Sequence, residues 1–153
     1  MTIASGPGRI AFSRDATGEI VVLPLHPGME MDVREHAFLL ASGRVSYSYV
    51  RIKGLANILH GGNGMWLDRF VTSQAPGLLV LHGYGNVFER TLGAGEKILV
   101  EPGGFLYKDS SVTMQAIQLN VRTGLIRHGM YVAEMTGPGR VGIQSMYHHH
   151  ASE

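Results

Sequence analysis

Histidine is the residue of this sequence best suited to metal chemistry, and the chain contains eight. A strand-borne metal site needs two histidines one residue apart, a glutamate a few residues later and a further histidine. No His-x-His followed by Glu occurs in the body of the chain. His82 and Glu89 are the nearest approach, with Gly83 and Gly85 between them to form a turn. The run His148-His149-His150 binds nickel or copper only weakly in any protein. We predict no metal ligands and no cofactor.

Acid–base and nucleophilic catalysis also find little support in the residue spacing. The segment Asp32-Val33-Arg34-Glu35-His36 groups several titratable side chains, and general acid–base catalysis requires two groups with separated pKa values. We interpret it as a turn with an ion pair, at the surface or at a subunit contact. No G-x-S-x-G motif occurs. The serines lack a neighbouring base in sequence: Ser42, Ser46, Ser48, Ser73 and Ser111. We therefore predict no catalytic residues.

Two glycine-rich segments are candidates for phosphate-binding loops. Gly83-Tyr84-Gly85-Asn86 lies between two apolar runs and is typical of a hairpin turn in which Gly and Asn adopt positive φ. Gly61-Gly62-Asn63-Gly64 precedes another such run. Neither has the lysine or the helix pattern of a nucleotide-binding loop. Both are predicted to be connections between strands.

Aromatic and basic residues alternate at one place in the chain, at Tyr47, Tyr49, Arg51 and Lys53. On a strand these four side chains share one face. Single-stranded RNA binds to a basic groove with interleaved aromatic residues, so this stripe is the best RNA candidate. The net charge is only +1 and the other basic residues are scattered. We interpret the stripe as a core edge or an interface, and keep RNA binding as an alternative.

The elements that carry these residues are predicted to be strands. Of 153 residues 21 are Gly, about twice the usual ~7%, and Gly or Pro interrupts nearly every helical window. No Cys is present, which excludes disulfides and thiolate chemistry. We predict a single all-β domain over 1–153, with one short helical turn at Leu55–Leu59. The predicted strands are Arg9–Ser13, Glu19–Leu25, Glu30–Val33, Ala37–Ala41, Val45–Ile52, Met65–Val71, Leu78–His82, Val87–Thr91, Lys97–Val100, Phe105–Lys108, Val112–Ile117, Met130–Met135 and Val141–Ser145.

An internal repeat organises these strands. Residues 28–42 match residues 95–109 at a shift of 67, and 64–67 match 129–132 at a shift of 65. Gly-Pro-Gly or Pro-Gly turns recur near residues 6, 76 and 137. A unit that cannot cover its own apolar face stacks on its copy. We predict repeat one at about 6–75, repeat two at about 76–145, and a His-rich tail at 146–153.

The repeat and three segments resemble the altered-inheritance-of-mitochondria (AIM) family. The segments are Gly61–Trp66, Gly95–Gly104 and Met135–Gln144, and the last is the most specific. The resemblance implies a TRAP-like double-stranded β-helix sandwich, similar to cupins and to the trp RNA-binding attenuation protein. It also implies homo-oligomers, with trimers favoured, and supplies no catalytic residues. By this resemblance, members of the family contain three such repeats, whereas two are visible here. We therefore expect either a short member of the family or a missing N-terminal repeat.

The function predicted from these observations is a non-enzymatic, oligomeric β scaffold or interaction protein. A cupin-like enzyme that binds a small molecule or metal is the alternative, and metal retained stoichiometrically by tail-deleted protein after chelation would favour it. RNA binding is the second alternative. The predicted partner is a further copy of the chain. No targeting segment, including a mitochondrial one, or membrane span is visible, so a cytoplasmic location is expected.

Two sharper expectations follow from the repeat. Gly8, Gly77 and Gly139 occupy equivalent joints and are expected to adopt turn conformations. Met65-Trp66 and Met130-Tyr131 are equivalent large apolar pairs with few charges nearby. Exposed apolar patches above a few hundred Å² usually mark an interface. We therefore expect a cyclic homo-oligomer in which the Trp66 region is buried.

Overall fold

The computed structural model describes residues 2–52, 65–123 and 126–146, and these form an all-β protein. A single 3-10 turn, Pro102–Gly104, interrupts the strands of the described chain. The strands are β1 (Gly18–Leu25), β2 (Glu30–Arg34), β3 (Phe38–Ala41), β4 (Val45–Ile52), β5 (Met65–Thr72), β6 (Gly77–Tyr84), β7 (Val87–Leu92), β8 (Lys97–Val100), β9 (Phe105–Asp109), β10 (Thr113–Thr123), β11 (Ile126–Thr136) and β12 (Gly139–Gln144).

The strands form three antiparallel sheets. Two have three strands each, in the orders β1-β6-β3 and β10-β11-β8. The third has six strands, in the order β4-β5-β2-β9-β12-β7. Strands β2 and β9 join the two halves of this sheet, with Asp32 opposite Lys108. The central sheet therefore contains three strands from each half of the chain.

One face of the central sheet packs against the sheet β1-β6-β3. Met31 and Val33 alternate with Asp32 along β2 and are fully buried, as expected of a strand with one apolar face. They form one apolar cluster with Phe70 of β5 and with residues of β1 and β6. The β1 and β6 members of this cluster are Leu23, Leu25, Leu79 and Leu81.

A second apolar cluster lies between the central sheet and the sheet β10-β11-β8. Leu67 of β5 and Val141 of β12 contribute from the central sheet. Met114 of β10 and Ala133 and Met135 of β11 contribute from the other sheet. Each three-stranded sheet thus packs against the central sheet through its own apolar cluster.

Most strands predicted from the sequence are confirmed within two residues at their ends. The two exceptions are β10, which ends six residues later than predicted, and β11, which begins four residues earlier. The predicted strand Arg9–Ser13 is wrong. These residues are exposed, and none of the described strands pairs with them, so no ladder of hydrogen bonds forms. The predicted helical turn Leu55–Leu59 lies outside the described residues.

The three equivalent glycines differ in conformation. Gly8 and Gly139 have φ of +143° and +137°, a region that only glycine adopts readily, as predicted. The prediction for Gly77 is wrong, because it is the first residue of β6 and has no positive φ. Val45 and Thr72 lie so close to Gly77 that a Cβ would meet them at 2.6 and 2.8 Å. Glycine is required there for space.

The described part of the chain contains no helix that is long and apolar enough to cross a membrane.

Candidate functional site

His82 and Glu89, the nearest approach to a metal site in the sequence, have different partners. His82 is buried, with Nε2 3.2 Å from the carbonyl oxygen of Ala16 and its ring edge-on to Tyr84. Glu89 accepts a 2.6 Å hydrogen bond from the Tyr107 hydroxyl. Across residues 2–52, 65–123 and 126–146, no three His, Asp or Glu side chains are grouped as metal ligands. His148-His149-His150 lie outside the described residues.

The interpretation of the charged segment 32–36 as a surface turn with an ion pair is wrong for Asp32, whose ionic partners are Arg69 and Lys108 of other strands. Asp32 lies inside β2 and is 1% exposed. The turn occupies only Glu35 and His36, where His36 has a φ of +68°. Arg34, at the end of β2, donates hydrogen bonds of 3.0 and 2.9 Å to the carbonyl oxygens of Pro102 and Gly103. The segment thus joins β2 to the chain that follows β8.

Asp32 is the centre of an ionic row across three neighbouring strands. Arg69 of β5 donates to both carboxylate oxygens, at 2.7 and 3.0 Å, and Lys108 of β9 donates at 2.7 Å. Both partners lie directly opposite Asp32 in register. Burial raises the pKa of Asp32, but the hydrogen bonds from Arg69 and Lys108 lower it more, so the pKa lies below its ordinary value. The buried carboxylate is held ionised.

A second polar network surrounds β12 and was not predicted from the sequence. Arg140 donates to both carboxylate oxygens of Asp109, at 3.2 and 3.0 Å. Tyr107 is buried, and burial together with its hydrogen bond to Glu89 raises its pKa. Neither pair can be predicted from the sequence, because the two partners of each pair are 18 or 31 residues apart.

Both networks are held by ion pairs and hydrogen bonds within the chain. The carboxylates of Asp32 and Asp109 are neutralised by cations at hydrogen-bond distance. No buried polar side-chain atom of the described residues lacks a hydrogen-bond partner. The ion pairs join side chains on neighbouring strands of the central sheet. Their geometry fixes the register of the central sheet.

The Gly83-Tyr84-Gly85-Asn86 segment is a turn but not the predicted hairpin. Gly85 has a φ of +69°, whereas Asn86 has no positive φ. Strand β6 pairs with β1 and β3, and strand β7 pairs with β12. The hairpin prediction is therefore wrong, because the turn connects two different sheets. Gly61-Gly62-Asn63-Gly64 lie outside the described residues.

The aromatic stripe of β4 is exposed, and Trp66 of β5 lies beside it. We call Tyr47, Tyr49, Arg51 and Trp66 the aromatic surface. Tyr49 is 67% exposed and Trp66 is 41% exposed. Their rings meet at an angle of 71° with centroids 5.3 Å apart. The Arg51 guanidinium lies 5.7 Å from the centre of the Trp66 ring, within the range of a cation–π interaction. Lys53 lies outside the described residues.

The charge around the aromatic surface is mixed. The Tyr47 hydroxyl donates a 2.9 Å hydrogen bond to Asp68, and this bond raises the pKa of the phenol. Burial raises the pKa of Asp68, with Glu35 adding to the effect. Acidic groups thus lie where a nucleic-acid groove would carry cations. Aromatic and Arg side chains with a polar rim are typical of protein–protein contacts.

Two of the candidate serines, Ser42 and Ser46, form hydrogen bonds with backbone groups of nearby strands. The Ser46 hydroxyl donates to the carbonyl oxygen of Val71 at 3.1 Å. The Ser42 hydroxyl oxygen accepts the backbone N–H of Leu78, also at 3.1 Å. Neither hydroxyl has a His or carboxylate partner of the kind that activates a nucleophile.

Comparison with solved structures shows a shared fold. The chain superposes on the crystal structure of protein SPYM3_0169 from Streptococcus pyogenes with a TM-score of 0.63 and 18% sequence identity. The match covers 87% of this chain and 56% of that chain, so the chain spans little more than half of its structural relative. At this identity the likeness concerns the fold alone.

Comparison of sequences shows the family. No curated protein matches the chain. The model of one family, described as mitochondrial biogenesis AIM24, matches residues 1–146 of the 153. This match covers nearly the whole chain and agrees with the resemblance found in its Gly-rich segments. The chain belongs to the AIM24 family.

Proposed function

We propose that this protein is a non-enzymatic β scaffold or interaction protein that works as a homo-oligomer, with a trimer favoured. The observation that carries the proposal is the aromatic surface, where large aromatic side chains are exposed on regular strands. Tyr, Trp and Arg are the residues most enriched among those that dominate binding energy in protein interfaces. Strands β4 and β5 hold them in fixed positions, so little conformational entropy is lost when they bind.

The architecture we propose is one domain built from two six-stranded units of a TRAP-like double-stranded β-helix. The strand orders support it. The order β1-β6-β3 corresponds to β7-β12-β9, and β4-β5-β2 corresponds to β10-β11-β8, each strand number being raised by six. We place the boundary between the units at residues 85–86 rather than 75–76, because β6 pairs with β1 and β3.

Equivalent exposed residues support assembly through both units. Trp66 of β5 and Tyr131 of β11 correspond at the repeat shift of 65, and both are exposed in the isolated chain. Because both units expose a large side chain at this position, each unit could use it in an equivalent contact with another copy. We propose that the Trp66 region is buried in the oligomer.

Single-stranded RNA binding is a second candidate, favoured by the same exposed aromatic rings. Bases stack on Tyr and Trp side chains in sequence-tolerant sites. The acidic groups at Asp68 and Glu35 and the net charge of +1 make protein the better partner. The cupin-like alternative has no structural argument in the described residues. A cytoplasmic location is proposed with the scaffold function.

Tryptophan fluorescence tests the proposal, because Trp66 is the only Trp of the chain. We expect Tyr49→Ser to weaken assembly, lower the sedimenting mass and move the Trp66 emission to longer wavelength. Phe88→Ser is the matched control, since it removes an exposed aromatic side chain from β7, away from the aromatic surface. Equal mass and equal emission for wild type and Tyr49→Ser would contradict the role of this surface.

A further inference from the structure

The two units of the chain are joined by one pair of strands. Strand β2 of the first unit pairs with β9 of the second, with Met31, Asp32 and Val33 opposite Asp109, Lys108 and Tyr107. The backbone N–H of Ser110 extends the junction by donating to the carbonyl oxygen of Glu30 at 3.0 Å. We call this the inner junction.

The repeat relates the inner junction to two other strands. A shift of 67 residues carries β2 onto β8, and the reverse shift carries β9 onto β3. Within the described chain, β8 pairs only with β11, and β3 pairs only with β6. Strands β1, β4, β7 and β10 also lie at sheet edges. In these cases both counterparts are edge strands, since β1 corresponds to β7 and β4 corresponds to β10. Only β3 and β8 lack the pairing that their counterparts make.

The side chains at these two open edges are apolar where the inner junction is ionic. Asp32 and Lys108 correspond to Leu99 of β8 and Ala41 of β3. Leu99 is 51% exposed, although it lies between Ile98 and Val100 in a strand that contributes to the second core. An exposed Leu on an open edge strand is a site for pairing with another strand.

A second group of side chains points to the same contact. Val87, Leu106 and Tyr107 of the second unit pack into the apolar cluster of the first unit, across the inner junction. Their counterparts in the first unit are Ile20, Leu39 and Leu40. Ile20 is exposed, and Leu39 and Leu40 are only half-buried. If a second copy of the chain docked on this one in the way that the two units dock on each other, it would cover all three side chains.

We propose that β8 of one copy pairs antiparallel with β3 of the next copy, with Leu99 opposite Ala41. This inference rests on the proposed homo-oligomeric function and names its contact. Since the two edges differ, the contact is head-to-tail, and we expect its repetition to close a ring rather than to extend as an open filament. The buried Asp32–Lys108 pair keeps the inner junction distinct. Opposite Leu99, Lys108 would lose its buried partner at a large desolvation cost, and opposite Ala41, Asp32 would lose one of its two cations.

Engineered cysteines test the pairing, and the absence of native Cys makes the result clean. On mild oxidation we expect Leu99→Cys mixed with Ala41→Cys to give covalent dimers. The double variant should give the fully linked oligomer, reversed by reductant. Ile98→Cys with Ala41→Cys is the matched control and should not cross-link, because one residue of shift places the thiols on opposite faces.

A charge at the edge gives a second measurement. Leu99→Lys is expected to reduce the mass in solution to that of a single chain, since Lys on an edge strand opposes pairing. Phe88→Lys, at a side chain that is 59% exposed on another edge, is expected to leave the mass unchanged.

Three outcomes would overturn the pairing. They are cross-linked dimers from Leu99→Cys alone, no cross-link in a protein that is oligomeric, and an unchanged oligomer for Leu99→Lys. Each of these leaves the proposed oligomeric function standing. A wild-type protein that is a single chain at every concentration would instead overturn both.

Discussion

Asp32 is the residue on which the centre of the molecule depends. It is buried between two strands, and its carboxylate takes hydrogen bonds from a half-buried Arg69 and a Lys108 that is 3% exposed. Removing one partner of a buried ion pair leaves the other charged in a low-dielectric environment. The Asp32–Lys108 contact also joins the halves of the central sheet, so its loss affects both.

We expect Asp32→Asn to lower the free energy of unfolding by about 3–5 kcal/mol, the usual effect of breaking a buried ion pair. Urea unfolding monitored by circular dichroism measures it. Glu134→Gln is the control, because its partner Lys97 is largely exposed and stays solvated, so only a small loss is expected. An Asp32→Asn variant as stable as the control would contradict the central role of Asp32.

The lowered pKa of Asp32 determines the direction in which the stability of the folded chain changes with pH. Because the pKa of Asp32 is lower in the folded chain than in the unfolded chain, its stabilisation is present above the ordinary carboxyl pKa of about 3.9. It is lost as pH falls through the folded value. The stability difference between wild type and Asp32→Asn should therefore shrink in acid.

The partners of Asp32 cannot be predicted from the residues next to it in the sequence. Asp32 lies between Met31 and Val33, an alternation that predicts a strand with a polar outer face. The sequence carries no sign that this face is covered. Arg69 and Lys108 are 37 and 76 residues away, so only the pairing of β2 with β5 and β9 brings them together. The local sequence pattern therefore predicts a surface position for Asp32, whose charge is buried in the structure.

At the scale of elements, the strands follow directly from local sequence. Val45–Ile52 is predicted and observed with the same bounds, since its turn residues and partial alternation define both ends. Arg9–Ser13 has a similar composition but no partner strand. A strand is stable only with a neighbour, and local pattern cannot supply one. The same limit explains the turn at Gly85, which was predicted as a hairpin but connects two sheets.

Gly139 at the start of β12 tests the account of the strand joints. Its φ is +137°, and a Cβ would lie 2.7 Å from the Ser111 hydroxyl and 2.8 Å from Val112. We expect Gly139→Val to cost about 1–3 kcal/mol, from backbone strain and this contact. Chemical denaturation provides the measurement.

Gly43→Val is the matched control for that substitution, because Gly43 lies in a turn with no positive φ and no atom within 4 Å of an added Cβ. We expect it to change stability much less. Equal effects at the two positions would mean that Gly139 occupies an ordinary extended segment.

At the scale of the whole molecule, the sequence predicts the family and the all-β class, because the Gly-rich segments carry the family pattern and the strands are local. The arrangement of three sheets and the pairing of β2 with β9 depend on contacts between distant residues. These contacts place the open edges of β3 and β8 and the aromatic surface, and both lead to the same proposal of assembly.

The mass in solution tests this central claim most directly. Light scattering at micromolar concentration is expected to give a whole multiple of 16.6 kDa, with three copies favoured. A closed ring leaves neither β3 nor β8 unpaired, and we expect it to keep this mass on moderate dilution. A mass of 16.6 kDa, unchanged on tenfold dilution, would contradict the account.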